Sequence, residues 1–447
     1  MKSSMIQMTS GSISKNMIRF AIPLFLGNLL QQLYNVVDSL IVGNIEGTHA
    51  LAAITSTASV IFLLVGFFQG VFTGISVIIS KYLGANEYER VQKAIHTAVS
   101  FGIAVSILLT IIGVAFTPSL LRLLGTPADV LPGATTYMQI YFGGVASVIL
   151  YNTANGIFQS VGDSKHPLYY LMISSILNVI LDILLVGVFR MGVGGAAVAT
   201  ILSQGVSTVL AFARLMRTNE IFKVRFSQLR FEKQIVKQML RIGIPAGIQN
   251  SVIGLANTVV QANINSFGAV AVAGSGSYVK IEGFVFIPIT SFSMALTTFL
   301  SQNLGAREYT RAKKGVAFGI LSACGISAVI GLLFYTFAPA LVSLFGTDTN
   351  SIKIGVTQAK IATLFYTLPA VSHSAASVLR GAGKSIVPMF IMLGSWCVLR
   401  VTYITTVLHF LPKIQVIFWA YPITWFVSSC IFLLFLVKSD WMHGLEY

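Results

Sequence analysis

The sequence predicts an all-α polytopic membrane protein: twelve transmembrane helices arranged as two six-helix bundles related by a pseudo-two-fold axis along the membrane normal. Composition, the spacing of apolar runs and an internal repeat carry that prediction. Of 447 residues, 55% are hydrophobic and 10% charged, and mean hydropathy is +0.82. Soluble chains carry about 25% charged residues, so a water-soluble fold is excluded. The three cysteines (Cys324, Cys397, Cys430) all fall in apolar stretches, which implies neither a disulfide framework nor a zinc site.

Apolar runs that reach the ~20 residues a bilayer core demands of a helix recur at roughly 17–43, 51–80, 92–117, 132–158, 167–189, 193–215, 239–266, 271–302, 315–338, 355–379, 387–410 and 414–437. Spans two and eight run long, so tilt or extension beyond the hydrocarbon is expected. Residues 217–238 form the one long polar connection, rich in Lys and Arg. They divide the chain into an N-terminal lobe (1–216, spans one to six), a basic linker (217–238) and a C-terminal lobe (239–447, spans seven to twelve). The leader Met1–Ser14 is polar and lacks the apolar core of a signal peptide.

Orientation follows from the basic residues. Net charge is +15, from 29 Lys and Arg against 14 Asp and Glu. Nucleic acid would be one reading of that excess, but short basic loops are also the mark of a cytoplasmic membrane face. With spans alternating, one side receives Lys2, Lys15, Arg19, Lys81, Arg90, Lys93, Lys165, the linker, Arg307, Arg311, Lys313, Lys314, Arg380, Lys384 and Lys438. The other receives Arg122, Arg190, Lys353 and Lys413. The first side is therefore expected to be cytoplasmic, with both termini on it, in the cytoplasmic (inner) membrane. No nucleic-acid partner is expected.

The chain repeats itself. Lys15-Asn16-Met17-Ile18-Arg19-Phe20-Ala21-Ile22-Pro23 returns as Lys237-Gln238-Met239-Leu240-Arg241-Ile242-Gly243-Ile244-Pro245. Leu83-Gly84-Ala85-Asn86-Glu87-Tyr88-Glu89-Arg90 returns as Leu304-Gly305-Ala306-Arg307-Glu308-Tyr309-Thr310-Arg311, and Leu124-Gly125-Thr126 as Phe345-Gly346-Thr347. The offset stays near 221, so the duplicated unit holds six spans and the halves are parallel repeats. Such duplication points to a transporter with substrate sites near the midplane.

Of the fourteen acidic residues, only Asp38, Asp182 and Glu282 lie well inside spans, where an ionisable group is costly and by default functional. Asp38 ends a stripe of Gln31, Tyr34 and Asn35 on span one. Asp182 ends another of Ser174, Ser175 and Asn178 on span five. Span four adds Asn152, Asn155 and Gln159. Polar faces on membrane helices look at protein or water, not lipid, so the three stripes are expected to meet in one first-half cavity. Burial and like charge both oppose ionisation, which suits two carboxylates to loading and releasing a proton. The same oxygens with the Asn178 amide would also suit Na⁺. A purely structural role for the two aspartates stands beside both readings. For Glu282, an ion pair with Lys280, Lys360 or Arg400 stands beside a transport role. Asn250, Asn257 and Gln261 on span seven form a second-half stripe, to line a vestibule or pack against neighbours. Pro23 and Pro245 permit kinks, so Pro23 is a candidate hinge. Abundant Phe and Met are available for an adaptable apolar surface.

These residues resemble those of a bacterial MATE (multidrug and toxic compound extrusion) transporter of the DinF-like branch, over all twelve spans. The resemblance rests on Ile22-Pro23, on Asn35-Val36-Val37-Asp38-Ser39, on the duplicated Leu-Gly-Ala loops and on Gly156–Gly162 before Asp163-Ser164-Lys165. It rests also on Leu177-Asn178-Val179-Ile180-Leu181-Asp182 and on Gly192–Thr200 with Ser203-Gln204. It implies a V-shaped pair of lobes that export cationic, amphipathic organic compounds in exchange for H⁺, or alternatively Na⁺, by alternating access. Carried over, the coupling site matches Asp38, Asn178, Asp182 and Thr200, which would also be the Na⁺ ligands. Tyr34, Tyr137 and Asn155 match lining residues, to which the stripes add Gln31, Asn152, Asn257, Gln261 and Glu282. The bend of span one matches Pro23. No carboxylate stands on spans seven or ten, which departs from the other main branch and tilts the reading toward protons.

No cofactor and no catalytic residue are expected, and a monomer in membrane lipid is the expected state. A lipid-linked precursor flippase would be expected to show a strongly basic central cavity. Here the first-half cavity is acidic, and only Lys280, Lys360 and Arg400 lie deep in the second half. An enzyme would need a convergent set, but His49, His96, His166, His373, His409 and His443 are scattered with no metal-binding spacing. A receptor or scaffold would leave deep carboxylates in duplicated halves unexplained.

Overall fold

The structure, a computed structural model, describes residues 6–45, 47–345 and 348–445, and for 35–45, 47–56, 58 and 59 it describes the backbone alone. Asn35 and Asp38 fall in that stretch, so their side chains lie outside the described residues, as do Gly346 and Thr347 of the repeat.

The described residues form twelve helical rods. In the first half they are α1 (Ile13–Ile45), α2 (Gly47–Gly84), α3 (Tyr88–Leu123), α4 (Leu131–Gly143 and, after a break at Gly144, Val145–Ser160), α5 (Lys165–Asp182, continued by a π-helical turn Ile183–Val188) and α6 (Gly192–Arg217). In the second they are α7 (Lys233–Asn265), α8 (Ala269–Gly305), α9 (Tyr309–Ser343), α10 (Thr349–Thr363 and Thr367–Gly381), α11 (Ile386–Met392, a π-helical turn Leu393–Leu399, then Arg400–Phe410) and α12 (Ile414–Lys438). Eight are long and apolar enough on their own to cross a membrane. The other four are the two interrupted rods, α4 and α10, and the two that open the halves, α1 and α7. Fourth rods are broken and fifth rods carry a π turn in both halves, so the duplication extends to irregularities.

The repeat also fixes how rods end. After α2, Asn86 is left-handed (φ 57°), and after α8, Arg307 is left-handed (φ 58°). Each ending closes with a Schellman pair: Glu87 N–H donates to Tyr82 O (2.9 Å) and Asn86 N–H to Leu83 O (3.1 Å), and likewise Glu308 to Asn303 (2.8 Å) and Arg307 to Leu304 (3.1 Å). Gly162 (φ 81°) and Gly383 (φ 78°) end α4 and α10 in the same way, through Asp163 to Phe158 (2.9 Å) and Lys384 to Leu379 (2.8 Å).

The polar linker is helical in part. Only 218–232 lies outside long helix, since α7 begins at Lys233. Apolarity marks the part of a helix that meets hydrocarbon, while the hydrogen-bonded rod continues into water. Part of the linker is pinned to α3: Arg225 N–H donates to His96 Nε2 (3.0 Å), and the His96 Nδ1 nitrogen bonds Gln92 O (2.7 Å).

Two compact units result. One comprises Leu26–Leu240 with the residues up to Gln7, and the other Met8–Phe25 with Arg241–Tyr447. The first half of α1 thus packs with the second unit. There Arg311 donates to the carbonyls of Met8 (3.0 Å), Ser10 (2.9 Å) and Gly11 (2.7 Å), and Asn303 donates to Met8 O (3.2 Å). In the first unit the repeat counterpart of Arg311, Arg90, pairs instead with Glu87 at 2.9 Å.

Candidate functional site

In the first unit the site is built on α5. Asn178 and Asp182 stand one turn apart on one face, and Asp182 is the last residue before the π turn. Gly195 lets α6 approach closely, because a Cβ there would lie 3.2 Å from Leu185 backbone. That brings Thr200 alongside. The Asn178 amide, oriented to satisfy both neighbours, donates to Asp182 Oδ2 at 2.7 Å and accepts the Thr200 N–H at 3.2 Å. Asp182 is 0% and Asn178 1% exposed, so this carboxylate is held wholly inside the unit. The Thr200 hydroxyl donates to its own helix, at Ala196 O (3.0 Å). Tyr137 is buried against Val186, Ala196 and Ala197, beside the set.

The remaining first-half candidates are arranged differently. On α4, Asn152 donates to Val148 O (2.8 Å), and Asn155 accepts from Gln159 (3.0 Å), so both bond within their own rod. Tyr34 is half-buried and Gln31 exposed on α1. Pro23 lies inside α1 just before the helix passes from one unit to the other.

In the second unit Gln261 donates to Asn265 along its own helix at 2.9 Å. Glu282 is half-buried and accepts from Tyr278 at 2.7 Å, and the Tyr278 hydroxyl lies 3.0 Å from that of Tyr366. Asn257 accepts from Arg400 Nη1 at 3.3 Å. The Thr424 hydroxyl accepts from Arg400 Nε (3.3 Å) and Nη2 (3.0 Å), and the Tyr421 ring centroid lies 4.3 Å from the guanidinium carbon.

Two expectations are corrected. Lys280 and Lys360 are not sealed inside the second unit: both are exposed, resting over the rings of Phe345 (5.6 Å) and Tyr335 (5.7 Å). Apolar windows average over all faces of a rod and do not tell a buried face from an exposed one. Arg400 is buried, at 1% exposure. Nor is Glu282 ion-paired with a base. No Lys or Arg nitrogen lies within 4.0 Å of it among the described residues, and its partner is a tyrosine. The residues that sequence reasoning missed are Tyr278, Tyr366, Tyr421 and Thr424. The i, i+4 spacing of Tyr278 and Glu282 was the one local signal. The rest converge from separate rods.

Twelve rods in duplicated halves, with charged side chains sealed inside each half, define a polytopic membrane transporter rather than an enzyme. The MatE family profile matches residues 23–184 and 245–406, once in each half. Over 86% of this chain and 84% of the relative, 30% of residues are identical to the probable multidrug resistance protein YoeA of Bacillus subtilis. The multidrug export protein MepA of Staphylococcus saprophyticus is 23% identical over 83% of this chain and 82% of its own. A solved structure described as the outward-facing conformation of a multidrug resistance MATE family transporter superposes with a TM-score of 0.92 at 21% identity, covering 100% of this chain and 99% of that one. The chain belongs to the MatE family.

Proposed function

We propose that the chain is a secondary active antiporter of the cytoplasmic membrane, exporting cationic, amphipathic organic compounds in exchange for H⁺ by alternating access. The observation that carries the reading is Asp182, sealed from solvent yet gripped at 2.7 Å by Asn178. A carboxylate at membrane depth marks an ion path by default, and relatives of this chain are named for multidrug resistance and export. Asp182, with Asp38, carries the proton, and Asn178 and Thr200 hold Asp182 in place. Gln31, Tyr34, Tyr137, Asn152 and Asn155 line the substrate path in the N-terminal lobe (1–216), and Asn257, Gln261 and Glu282 line it in the C-terminal lobe (239–447). Pro23 is the hinge, and both termini face the cytoplasm, as the distribution of Lys and Arg favours.

Protons are favoured over Na⁺ by the absence of any carboxylate from α7 and α10, which leaves no acidic Na⁺ site of that kind in the C-terminal lobe. The test is dye export from proteoliposomes with a pH gradient or a Na⁺ gradient imposed separately. Export under the pH gradient alone is expected. Export under Na⁺ alone would reassign Asp38, Asn178, Asp182 and Thr200 as Na⁺ ligands, and export under neither would remove the antiporter reading.

A further inference from the structure

The basic linker between the halves has two faces, and export leaves the outer one unexplained. Its inner face is fixed to the first unit. Phe222 and Val224 are buried, and the Phe222 ring lies edge-on to Phe158 at 6.0 Å. Val224 N–H donates to Leu215 O at 2.9 Å. The Gln92 amide donates to the Ile221 carbonyl, and Arg225 N–H donates to His96 Nε2 at 3.0 Å. Gln92 and His96 stand in the first turns of α3, where its apolar run begins. The linker is therefore held at the level where α3 enters hydrocarbon, and does not loop out into water.

The outer face carries apolar rings among bases. Phe226 is 52% and Phe231 54% exposed, with Leu229 half-buried between them. The turn Phe226–Gln228 has no buried residue. Arg225 precedes the first ring, Arg230 precedes the second and Lys233 follows, all three exposed. No carboxylate oxygen among the described residues lies within 4.0 Å of any of them. From Asn219 to Lys237 five Lys and Arg stand against Glu220 and Glu232. Aromatic rings left in water are unfavourable, whereas rings beside basic side chains are what an interfacial segment presents to the boundary of headgroups and acyl chains. A soluble acidic partner would meet the charges alone. The depth at which α3 holds the linker decides for lipid.

We propose that residues 219–237 form a docking surface for anionic phospholipid in the leaflet on the linker's side of the membrane. Phe226 and Phe231 enter the headgroup boundary, and Arg225, Arg230 and Lys233 meet the negative headgroups. The inner hydrogen bonds set the depth, the rings supply apolar contact, and the bases select for negative lipid. Each basic side chain near an anionic leaflet is worth roughly a fivefold gain in partition, within a Debye length of the surface. The surface does not depend on which ion drives export.

The test attaches the polarity-sensitive dye NBD at Ser227→Cys, in the exposed turn, in a full chain carrying Cys324→Ala, Cys397→Ala and Cys430→Ala. The labelled chain is held in nanodiscs of phosphatidylcholine alone or of phosphatidylcholine with phosphatidylglycerol. A blue shift of the dye is expected with phosphatidylglycerol and not without it, and high salt is expected to reverse it. Arg225→Gln with Arg230→Gln is expected to weaken docking about thirtyfold and so to abolish the shift. Phe226→Ser with Phe231→Ser is expected to abolish it as well. All four side chains are exposed, so both double variants are expected to melt with the parent chain. Should either melt early, the salt titration of the parent decides. No shift in either disc, equal emission in both, or a shift that survives high salt or the Arg substitutions overturns the proposal. So does the same shift in phosphatidylcholine discs on adding inorganic phosphate or polyglutamate, because the partner would then be a soluble anion.

Discussion

The two units share a scaffold and invert its chemistry. In the first, a buried acid, Asp182, is held by an amide one turn earlier on its own rod. In the second, a buried base, Arg400, is held from two other rods, α7 and α12. The repeat offset places Tyr403 opposite Asp182 and Val179 opposite Arg400, so neither charge has a duplicate. Backbone features survived duplication, including the Schellman endings, the broken fourth rods and the π turns in the fifth. Deep charges did not. A helix ending is specified by local sequence and costs little to keep in both copies. A buried charge is a liability wherever it lacks a task, so its restriction to one copy is evidence of a task in that copy.

The sharpest way to break this contrast is Asp182→Asn, which keeps shape and removes the charge. Gradient-driven export is expected to fall to background, as it is for Asp38→Asn, while the protein remains inserted and monodisperse. Export at the wild-type rate would leave the acid of the first unit with no role that the base of the second lacks. Next in size is Asn178→Ala. It removes the 2.7 Å bond to Asp182, and a bond to a charged group is worth roughly 1.5–3 kcal/mol. A loss of about tenfold or more in exchange rate is expected, read from initial rates across a pH series. An unchanged rate would make the amide a bystander.

The sequence made some of this legible. Asn178 and Asp182 share one helix, so helical spacing alone puts them on one face. The repeat was plain because its motifs lie in loops where turn geometry constrains residue type. Arg400 was visible as a deep charge, but its partners stand at Asn257, Tyr421 and Thr424, and no local spacing joins them. That Lys280 and Lys360 are exposed was not legible, because apolar windows do not resolve which face of a rod a residue occupies. The grip of Arg311 on Met8, Ser10 and Gly11 joins residues some 300 positions apart, and the duplicate Arg90 gave no hint of it.

Packing separates the halves more finely at the left-handed glycines that end α4 and α10. At Gly162 an added Cβ would lie 2.3 Å from the backbone oxygen of Ile6, while at Gly383 it would meet the flexible end of Leu445 at 2.7 Å. A left-handed residue with a Cβ costs roughly 1–2 kcal/mol in either place. In the first unit main chain must move outright, whereas in the second the Gly444 backbone oxygen, 3.2 Å from the added Cβ, need only give slightly. Gly162→Ala is therefore expected to lower thermal stability in detergent clearly more than Gly383→Ala. Equal shifts would mean that Ile6 yields as readily as a leucine side chain.

The smallest effect comes from a pair of aspartate–histidine contacts, one in each unit. Asp163 is fully buried. It lies 2.6 Å from His166 Nδ1 and accepts the N–H groups of Lys165 (3.2 Å) and His166 (3.3 Å) at the start of α5. Asp163→Ala removes a cap and leaves those donors unmet, at a cost of about 1–2 kcal/mol. Asp440 lies 2.7 Å from His443 Nδ1, but both are exposed. The bond from His443 holds the Asp440 carboxyl below its ordinary value of 3.8. A carboxyl depressed by folding stabilises the fold above its unfolded value and loses that contribution as pH falls through the folded one. Any stabilisation by Asp440 is thus present at neutral pH and disappears below about pH 4. Solvent screening keeps it slight. Asp440→Asn is therefore expected to leave export unchanged and to shift the melting midpoint by less than about 1 °C at pH 7. A shift as large as that of Asp163→Ala would show that exposure does not set the worth of these two pairs, and that the C-terminal tail anchors the second unit as firmly as the α4–α5 turn anchors the first.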